Sequence, residues 1–175
     1  MIQQKSRVKF NVAAATHDDI TSILRMVNDV TRQSGALLPV TEAEVKGWIA
    51  ENLSFVAKTP DGKVIGHNSA FVWPESGWAE LRAGVVLPDY RGNGVNMEIK
   101  VPLVESMARK GAKTVVGLKN KASNGHGILE ALGFEEARPA DVPRELFNIG
   151  QGTEWAIYVN HDMAKLRQLV RPNSS

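Results

Sequence analysis

The residues best suited to chemistry in this sequence are Arg91-Gly92-Asn93-Gly94, followed by Val95-Asn96. A strand-like stretch, Ala79 to Val86, precedes them, and apolar residues recur every four positions from Val95 onward, which predicts a helix to Lys110. A strand that enters a helix through such a turn presents free backbone N–H groups at the positive end of a helix dipole. Glycines let a ligand lie against the backbone, and Arg91 adds a permanent cation. The turn therefore predicts a site for the pyrophosphate of a nucleotide-like cofactor.

Two common nucleotide-binding motifs are excluded at this turn. A Walker-type loop ends in Gly-Lys-Ser/Thr, whereas Gly94 is followed by Val95 and Asn96. A dinucleotide fingerprint needs a third glycine at the position of Met97 and an acidic residue about 20 positions further on. Taken alone, the turn is equally consistent with a tight strand-to-helix connection that holds no ligand.

Gly84 interrupts the strand before the turn. An isolated glycine in a strand indicates a bulge or a close approach of the backbone. A bulge here would splay this strand from its neighbour and leave backbone groups free to bond an extended ligand.

A second segment, Ser123 to Phe134, ends in Leu132-Gly133-Phe134. Together with Leu81 to Val95, in this order and spacing, it resembles the GNAT superfamily of N-acyltransferases. The resemblance implies an α/β (α+β) fold with a central mixed, mostly antiparallel sheet, splayed in the middle and covered by helices on both faces. A helix from His161 to Val170 is an addition to that layout, and its apolar residues could support a homodimer.

The resemblance also implies acetyl-CoA as the acyl donor and coenzyme A as the product that leaves. Backbone N–H groups of Val85, Val86 and Leu87 are expected to polarise the thioester carbonyl. The residues expected to contact the cofactor are Val85, Val86, Leu87, Arg91, Gly92, Asn93, Gly94, Val95, Asn96, Asn120, Ser123 and Asn124.

The implied chemistry is attack of a neutral amine on a thioester, which needs a base because an alkyl amine is protonated at pH 7. Glu80 is the candidate, and a simple ion pair with Arg82 is the alternative. The family often carries a tyrosine acid where this chain has Leu129. Tyr90 and Tyr158 are alternative donors, although packing roles also explain both.

The acceptor is predicted to be a small amine or an amino acid. Gly35 to Pro39 and Leu132 to Glu136 are similar to the acetyltransferase domain of N-acetylglutamate synthase. That family commonly has a basic residue where this chain has Val40, so glutamate itself is not implied. The loop Ala36 to Val40 either lines the acceptor pocket or covers an edge of the core.

Composition removes several classes of function. The chain of 175 residues has no cysteine, and its four histidines lie 35 or more residues apart, so no metal site is predicted. A net charge of +2 gives no argument for a nucleic-acid partner. Without a signal core or a membrane-length apolar run, one cytoplasmic domain over residues 1–175 is expected.

Two hypotheses follow. The first is an acetyl-CoA-dependent N-acetyltransferase. The second is a degenerate domain of the same fold that binds CoA or a partner without turnover. Glu80 and the intact Arg91 to Gly94 turn favour the enzyme, whereas Asn96, at a place where the family has glycine or alanine, and Leu129 favour the binder.

Overall fold

The structure is a computed structural model that describes residues 8–122, 127–143 and 155–171. Its strands are β1 (Asn11–Ala14), β2 (Ser54–Lys58), β3 (Val64–Trp73), β4 (Trp78–Val86), β5 (Thr114–Asn120), β6 (Glu135–Ala137) and β7 (Trp155–Asn160). Its α-helices are α1 (Ile20–Ser34), α2 (Glu42–Ala50), α3 (Val95–Arg109), α4 (Ile128–Ala131) and α5 (Met163–Val170).

The seven strands form one sheet in the order β1-β2-β3-β4-β5-β7-β6. The pair β4 and β5 is parallel, and the remaining pairs are antiparallel. Because α3 connects β4 to β5, the parallel pair is a strand–helix–strand crossover, as such a connection requires. The predicted mixed, mostly antiparallel sheet is confirmed.

Helices cover both faces of the sheet. On β2, the side chains of Phe55 and Ala57 pack with α3 and α5, whereas Val56 packs with α1 and α2. This alternation places the two pairs of helices on opposite faces, since successive strand residues point to opposite sides. In the described residues, none of the helices has the length and hydropathy that crossing a bilayer needs.

The predicted element ends agree with the structure to within a few residues. The capping box of Thr41 and Glu44 starts α2, and Gly35 ends α1 with a φ of +61°. Strand β1 begins at Asn11, and α5 begins at Met163 instead of the predicted His161. Helix α3 continues through Pro102 as one helix.

The added helix α5 belongs to the core of this chain. Leu166 and Val170 are buried against α3, and Arg167 binds both carboxylate oxygens of Glu105 at 3.0 and 2.8 Å. Two of the apolar residues proposed for a dimer contact are therefore used within the chain, while Leu169 remains exposed. A homodimer stays a prediction.

The predicted bulge lies in β4. His67 pairs with Val85 and Ser69 pairs with Arg82, so Asn68 alone faces two β4 residues, Ala83 and Gly84. Ala83 has a φ of +49°, which is strained for a residue with a Cβ. At Gly84 a Cβ would lie 2.7 Å from the Asn68 side-chain oxygen. A side chain at position 84 would thus require the Asn68 side chain to move.

Side chains of β3 hold the bulge in place. The ring Nδ1 of the fully buried His67 lies 2.9 Å from the Ala83 carbonyl, and the Ser69 hydroxyl donates to the Arg82 carbonyl at 3.1 Å. Because a carbonyl only accepts, Nδ1 carries the proton and Nε2 accepts from the Ser54 hydroxyl at 2.9 Å. Burial lowers the pKa of His67 to about 4. The histidine is therefore neutral in the folded protein.

This burial predicts a loss of stability in acid. Between pH 6.5 and about 4 the unfolded chain protonates His67 and the folded chain does not, so its contribution is present above pH 6.5 and falls as the pH decreases. The full difference is roughly 3 kcal/mol. His67→Gln should remove this part of the pH dependence of the free energy of unfolding, measured by denaturant titration.

The matched control is His17→Gln, since His17 is exposed and its replacement leaves His67 intact. The control should decline in acid like the parent protein. Equal slopes for His67→Gln and the parent over this pH range would contradict the assignment.

Candidate active site

The site is built around a gap in the middle of the sheet. Strands β4 and β5 are paired only where Trp78–Leu81 lies beside Thr114–Gly117. Beyond that point β4 continues with β3 and β5 continues with β7. The edge of β4 after Leu81 therefore faces a cleft between two diverging strands, as expected for a splayed sheet.

Successive backbone N–H groups of β4 point alternately toward β3 and toward the gap. The N–H of Leu87 donates to the Ile65 carbonyl at 2.9 Å, so the prediction that this amide is available to a thioester was wrong. Antiparallel pairs alternate, which directs the Val85 amide toward β3 and the Val86 amide into the gap. Of the three predicted amides, Val86 is the one that the register leaves available.

The glycine-bearing turn has the geometry expected of an anion site. Gly92 and Gly94 have φ values of +77° and +79°, and a Cβ on either would meet no atom within 4 Å. Gly94 is the N-cap of α3, and in the described residues no side chain caps this end. The amides of α3 that precede Glu98, whose N–H donates to the Gly94 carbonyl, therefore lack intrahelical acceptors.

The side chains at the turn differ in what they can contribute. The exposed Arg91 donates from Nε to the Val86 carbonyl at 3.1 Å, which places its guanidinium at the end of the gap. The Asn93 side chain donates to the carbonyls of Tyr90 and Arg91 and so stabilises the loop. The Val95 side chain is buried in the core, which leaves its backbone amide as the group available to a ligand.

Asn96 belongs to a polar cluster that the sequence did not suggest. Its side-chain oxygen accepts from Asn68 at 2.8 Å and from the Lys100 ammonium at 2.7 Å. Lys100 also donates to the Asn68 oxygen at 2.9 Å. We call Asn68, Asn96 and Lys100 the amide–lysine cluster. It lies beside the bulge, because Asn68 is the residue opposite Ala83 and Gly84.

Two cavities meet at the gap. The first, of about 350 Å³, lies under the loop Leu37 to Val40 and contains Glu80 and Trp48. The second, of about 340 Å³, contains the amide–lysine cluster, Gly84, Gly117 and Leu129. They share the walls Leu37, Leu81, Arg82, Ala83 and Leu118. Two ligands could therefore approach each other beside the bulge.

Glu80 is buried at the end of the first cavity. Only 2% of the residue is exposed, and its Oε2 accepts from Arg82 Nε at 2.9 Å and from Arg82 Nη2 at 2.8 Å. Among the described residues, Oε1 has no hydrogen-bond partner, so one oxygen is anchored and the other can accept a proton. Burial raises the pKa of Glu80, and the Arg82 charge opposes part of that rise.

The remaining predicted residues fall into three groups. Asn120 lines the second cavity and donates to the Gly35 carbonyl at 2.8 Å, which ties the end of β5 to the loop after α1. Ser123 and Asn124 lie outside the described residues. Neither Tyr90 nor Tyr158 is among the residues that line the two cavities, whereas Leu129 is.

Sequence reasoning missed His67, Asn68 and Lys100. Each reads as an ordinary polar residue of a strand or helix, and their contacts span separations from 4 to 32 residues along the chain. A lysine at an apolar position of α3, next to the buried Ile99, was the one available signal for Lys100.

A sequence model described as the acetyltransferase (GNAT) family matches residues 23–134. No curated protein sequence matches this chain. The matched range contains the gap, the glycine-bearing turn, Glu80 and the amide–lysine cluster.

Three solved structures illustrate the similarity of this fold to known proteins. N-acetylglutamate synthase from Neisseria gonorrhoeae, complexed with coenzyme A and N-acetyl-glutamate, has a TM-score of 0.74 and 18% identity over 87% of this chain. This chain spans 35% of that protein's length.

Two other solved structures match this chain over almost their whole length. Ribosomal-protein-alanine N-acetyltransferase from Brucella melitensis has a TM-score of 0.65 and 18% identity, over 86% of this chain and 99% of that one. The putative acetyltransferase yncA from Salmonella typhimurium, with acetyl-CoA, has a TM-score of 0.67 and 16% identity, over 95% and 97%. At these identities the likeness establishes a shared fold.

The conformation of Gly94 predicts a measurable cost for a side chain. Gly94→Ala should lower the free energy of unfolding by about 1 kcal/mol, because a residue with a Cβ is strained at this φ even where space is open. Gly47→Ala is the matched control, since Gly47 lies inside α2 with no atom within 4 Å of an added Cβ. That control should gain about 1 kcal/mol. Urea titration would refute the assignment if both variants shifted in the same direction.

Proposed function

Since this chain belongs to the GNAT acetyltransferase family, we propose that it transfers an acetyl group from acetyl-CoA to the primary amine of a small molecule or an amino acid. The observation that carries the proposal is the junction of two cavities at the gap between β4 and β5, with Glu80 on one side. A thioester from one cavity and an amine from the other would meet there. The acceptor class is inferred from the first cavity and from the resemblance described above.

The residues present fit an acyl donor with a pyrophosphate. The uncapped amides at the start of α3 and the Arg91 guanidinium offer positive charge at one end of the gap. The Val86 amide offers a hydrogen bond to the extended arm along β4. Open space at Gly92 and Gly94 admits phosphate oxygens close to the backbone.

Glu80 would accept the proton that makes the amine nucleophilic. Its Oε2 is fixed by Arg82, so Oε1 can take the proton while the carboxylate keeps its orientation. Burial raises the pKa of Glu80 toward that of a base suited to neutral pH. The amine nitrogen then attacks the thioester carbon, and the sulfur leaves with the electron pair of the broken C–S bond.

The walls of the first cavity indicate the shape of the acceptor. Its walls are largely apolar, with Leu37, Pro39, Trp48 and Trp155, and its charged side chains are Glu44, Glu80 and Arg82. An amine with an apolar body would bury that body against these walls with its nitrogen at Glu80.

A second candidate function is binding of CoA without turnover. Leu129 favours it, because its side chain fills the space above Gly117, with two carbons 3.0 and 3.1 Å from an added Cβ. Leucine has no proton to give a leaving thiolate. The two candidates are separated by thiol release from acetyl-CoA over a panel of primary amines and amino acids. Tight CoA binding with no release on any amine would contradict the enzyme.

Replacing Glu80 tests the base. Glu80→Gln keeps the shape of the side chain and should lower kcat/KM by about 10²–10⁴ with the best amine of that panel. Because the raised pKa of Glu80 controls the active form, the acid limb of the parent enzyme should lie above the ordinary value of 4.5 and disappear in the variant. An unchanged pH profile would exclude Glu80 as the base.

Replacing Arg91 tests the anion site. Arg91→Ala should weaken CoA binding about tenfold or more, because a hydrogen bond to a charged group contributes about 1.5–3 kcal/mol. Arg109→Ala makes the same charge change at the opposite, exposed end of α3 and should leave affinity unchanged. Calorimetry with CoA measures both, and equal affinities for the two variants would remove Arg91 from the site.

A further inference from the structure

Lys100 is a buried cation without an anionic partner among the described residues. The residue is 4% exposed, and its ammonium donates to the side-chain oxygens of Asn68 and Asn96, both neutral. Burying a charge without a counter-ion is costly, so such lysines are rare unless they serve a ligand. Burial lowers the pKa of Lys100 to about 8.

The amide–lysine cluster is held against the bulge. The Asn68 oxygen lies so close to Gly84 that a Cβ there would force it to move, and Asn96 receives hydrogen bonds from both other members of the cluster. An ammonium has three donors, and two are used by these oxygens. One donor therefore remains for whatever occupies the second cavity, which Lys100 lines.

The other charged groups of that cavity are already paired. Arg82 binds Glu80, and Lys119 lies 3.4 Å from Glu130. His67, on the neighbouring position of β3, donates to the Ala83 carbonyl and stays neutral. Among the described residues that line this cavity, Lys100 is thus the cation that is available to a new negative charge. Leu129 lies in the wall of the cavity, whereas neither Tyr90 nor Tyr158 does.

We propose that Lys100 is the acid of the transfer reaction and gives its proton to the sulfur of the leaving CoA. The inference rests on the proposed function, because it needs a thioester at the junction of the two cavities. As the C–N bond forms and the C–S bond breaks, the sulfur takes the electron pair and then a proton from Lys100 Nζ. Glu80 takes one proton from the acceptor ammonium before the attack and releases it to solvent, and it takes the second proton of the nitrogen after the C–N bond has formed. Exchange with solvent then restores both side chains.

The pKa values of the leaving thiol and of Lys100 lie close together. A thiol has an ordinary pKa of about 8.5, close to the value of about 8 that burial gives Lys100. Proton transfer between them is nearly balanced, which is the condition for efficient general acid catalysis. An ordinary exposed lysine has a pKa of about 10.4, above that of a thiol, so it would keep its proton instead of giving it to the thiolate.

The first test needs no acceptor and no turnover. The thiolate of bound CoA absorbs in the far ultraviolet, so its titration reports the pKa of the bound thiol. We expect Lys100 to lower that pKa by less than about 1 relative to free CoA, because an adjacent positive charge favours the thiolate while the two groups stay close in acidity. Lys100→Met should abolish the shift, and Lys46→Met, which removes an exposed lysine paired with Glu42, should keep it.

Thermal unfolding of Lys100→Met checks that the fold is kept, and Lys100→Gln offers a second uncharged side chain that can still donate to the amide oxygens. The parent protein tests the inference even if both variants unfold. A bound thiol with the pKa of free CoA would overturn the role of Lys100 while leaving the proposed function intact. Absence of CoA binding would overturn both.

The second test compares acyl donors that have different leaving groups. With an amine that is turned over, Lys100→Met should lose about 10²-fold or more in kcat with little change in the KM for acetyl-CoA. The loss should shrink for an aryl thioester, whose thiolate needs no proton. Equal losses with both donors would indicate a structural role and refute the proposal. A preference for succinyl-CoA over acetyl-CoA that depends on Lys100, without a thiol shift, would instead assign the cation to an acyl carboxylate.

Discussion

The site depends on a single irregularity in strand pairing, the bulge at Ala83 and Gly84. Two β4 residues occupy the space of one β3 residue, and β4 separates from β5 just before this point. A positive φ at Ala83 is costly, and hydrogen bonds from His67 and Ser69 to the neighbouring carbonyls hold the strained conformation. Without that support, β4 could pair regularly and the gap would have no reason to persist.

Two buried basic side chains, His67 and Lys100, take part in hydrogen bonds that involve β3. Burial lowers the pKa of both. Desolvation favours the neutral form of His67, which suits its role as a donor to a carbonyl. The same effect weakens the hold of Lys100 on its proton without removing it at neutral pH. The neutral His67 and the cationic Lys100 lie on opposite faces of the sheet, because His67 and Asn68, the partner of Lys100, are successive residues of β3.

The sequence predicted the parts of the site that local chemistry controls. The turn from Arg91 to Gly94, the bulge at Gly84 and the helix from Val95 were all located correctly. It failed on the amides of Leu87 and Val85, because which amide faces the gap depends on the register with β3. It also missed Asn68, Asn96 and Lys100 as a unit, since they converge only when β3 and α3 pack together.

By itself, then, the sequence determined where a strand gives way to a helix through glycines and which family that pattern resembles, because positive φ values, capping and periodicity are properties of neighbouring residues. The tertiary structure decided the orientation of Glu80 by Arg82, the exclusion of both tyrosines from the cavities, and the presence beside the gap of an ammonium that has no anionic partner among the described residues. These features arise from contacts between residues that are distant in the chain, and only strand register and helix packing bring them together.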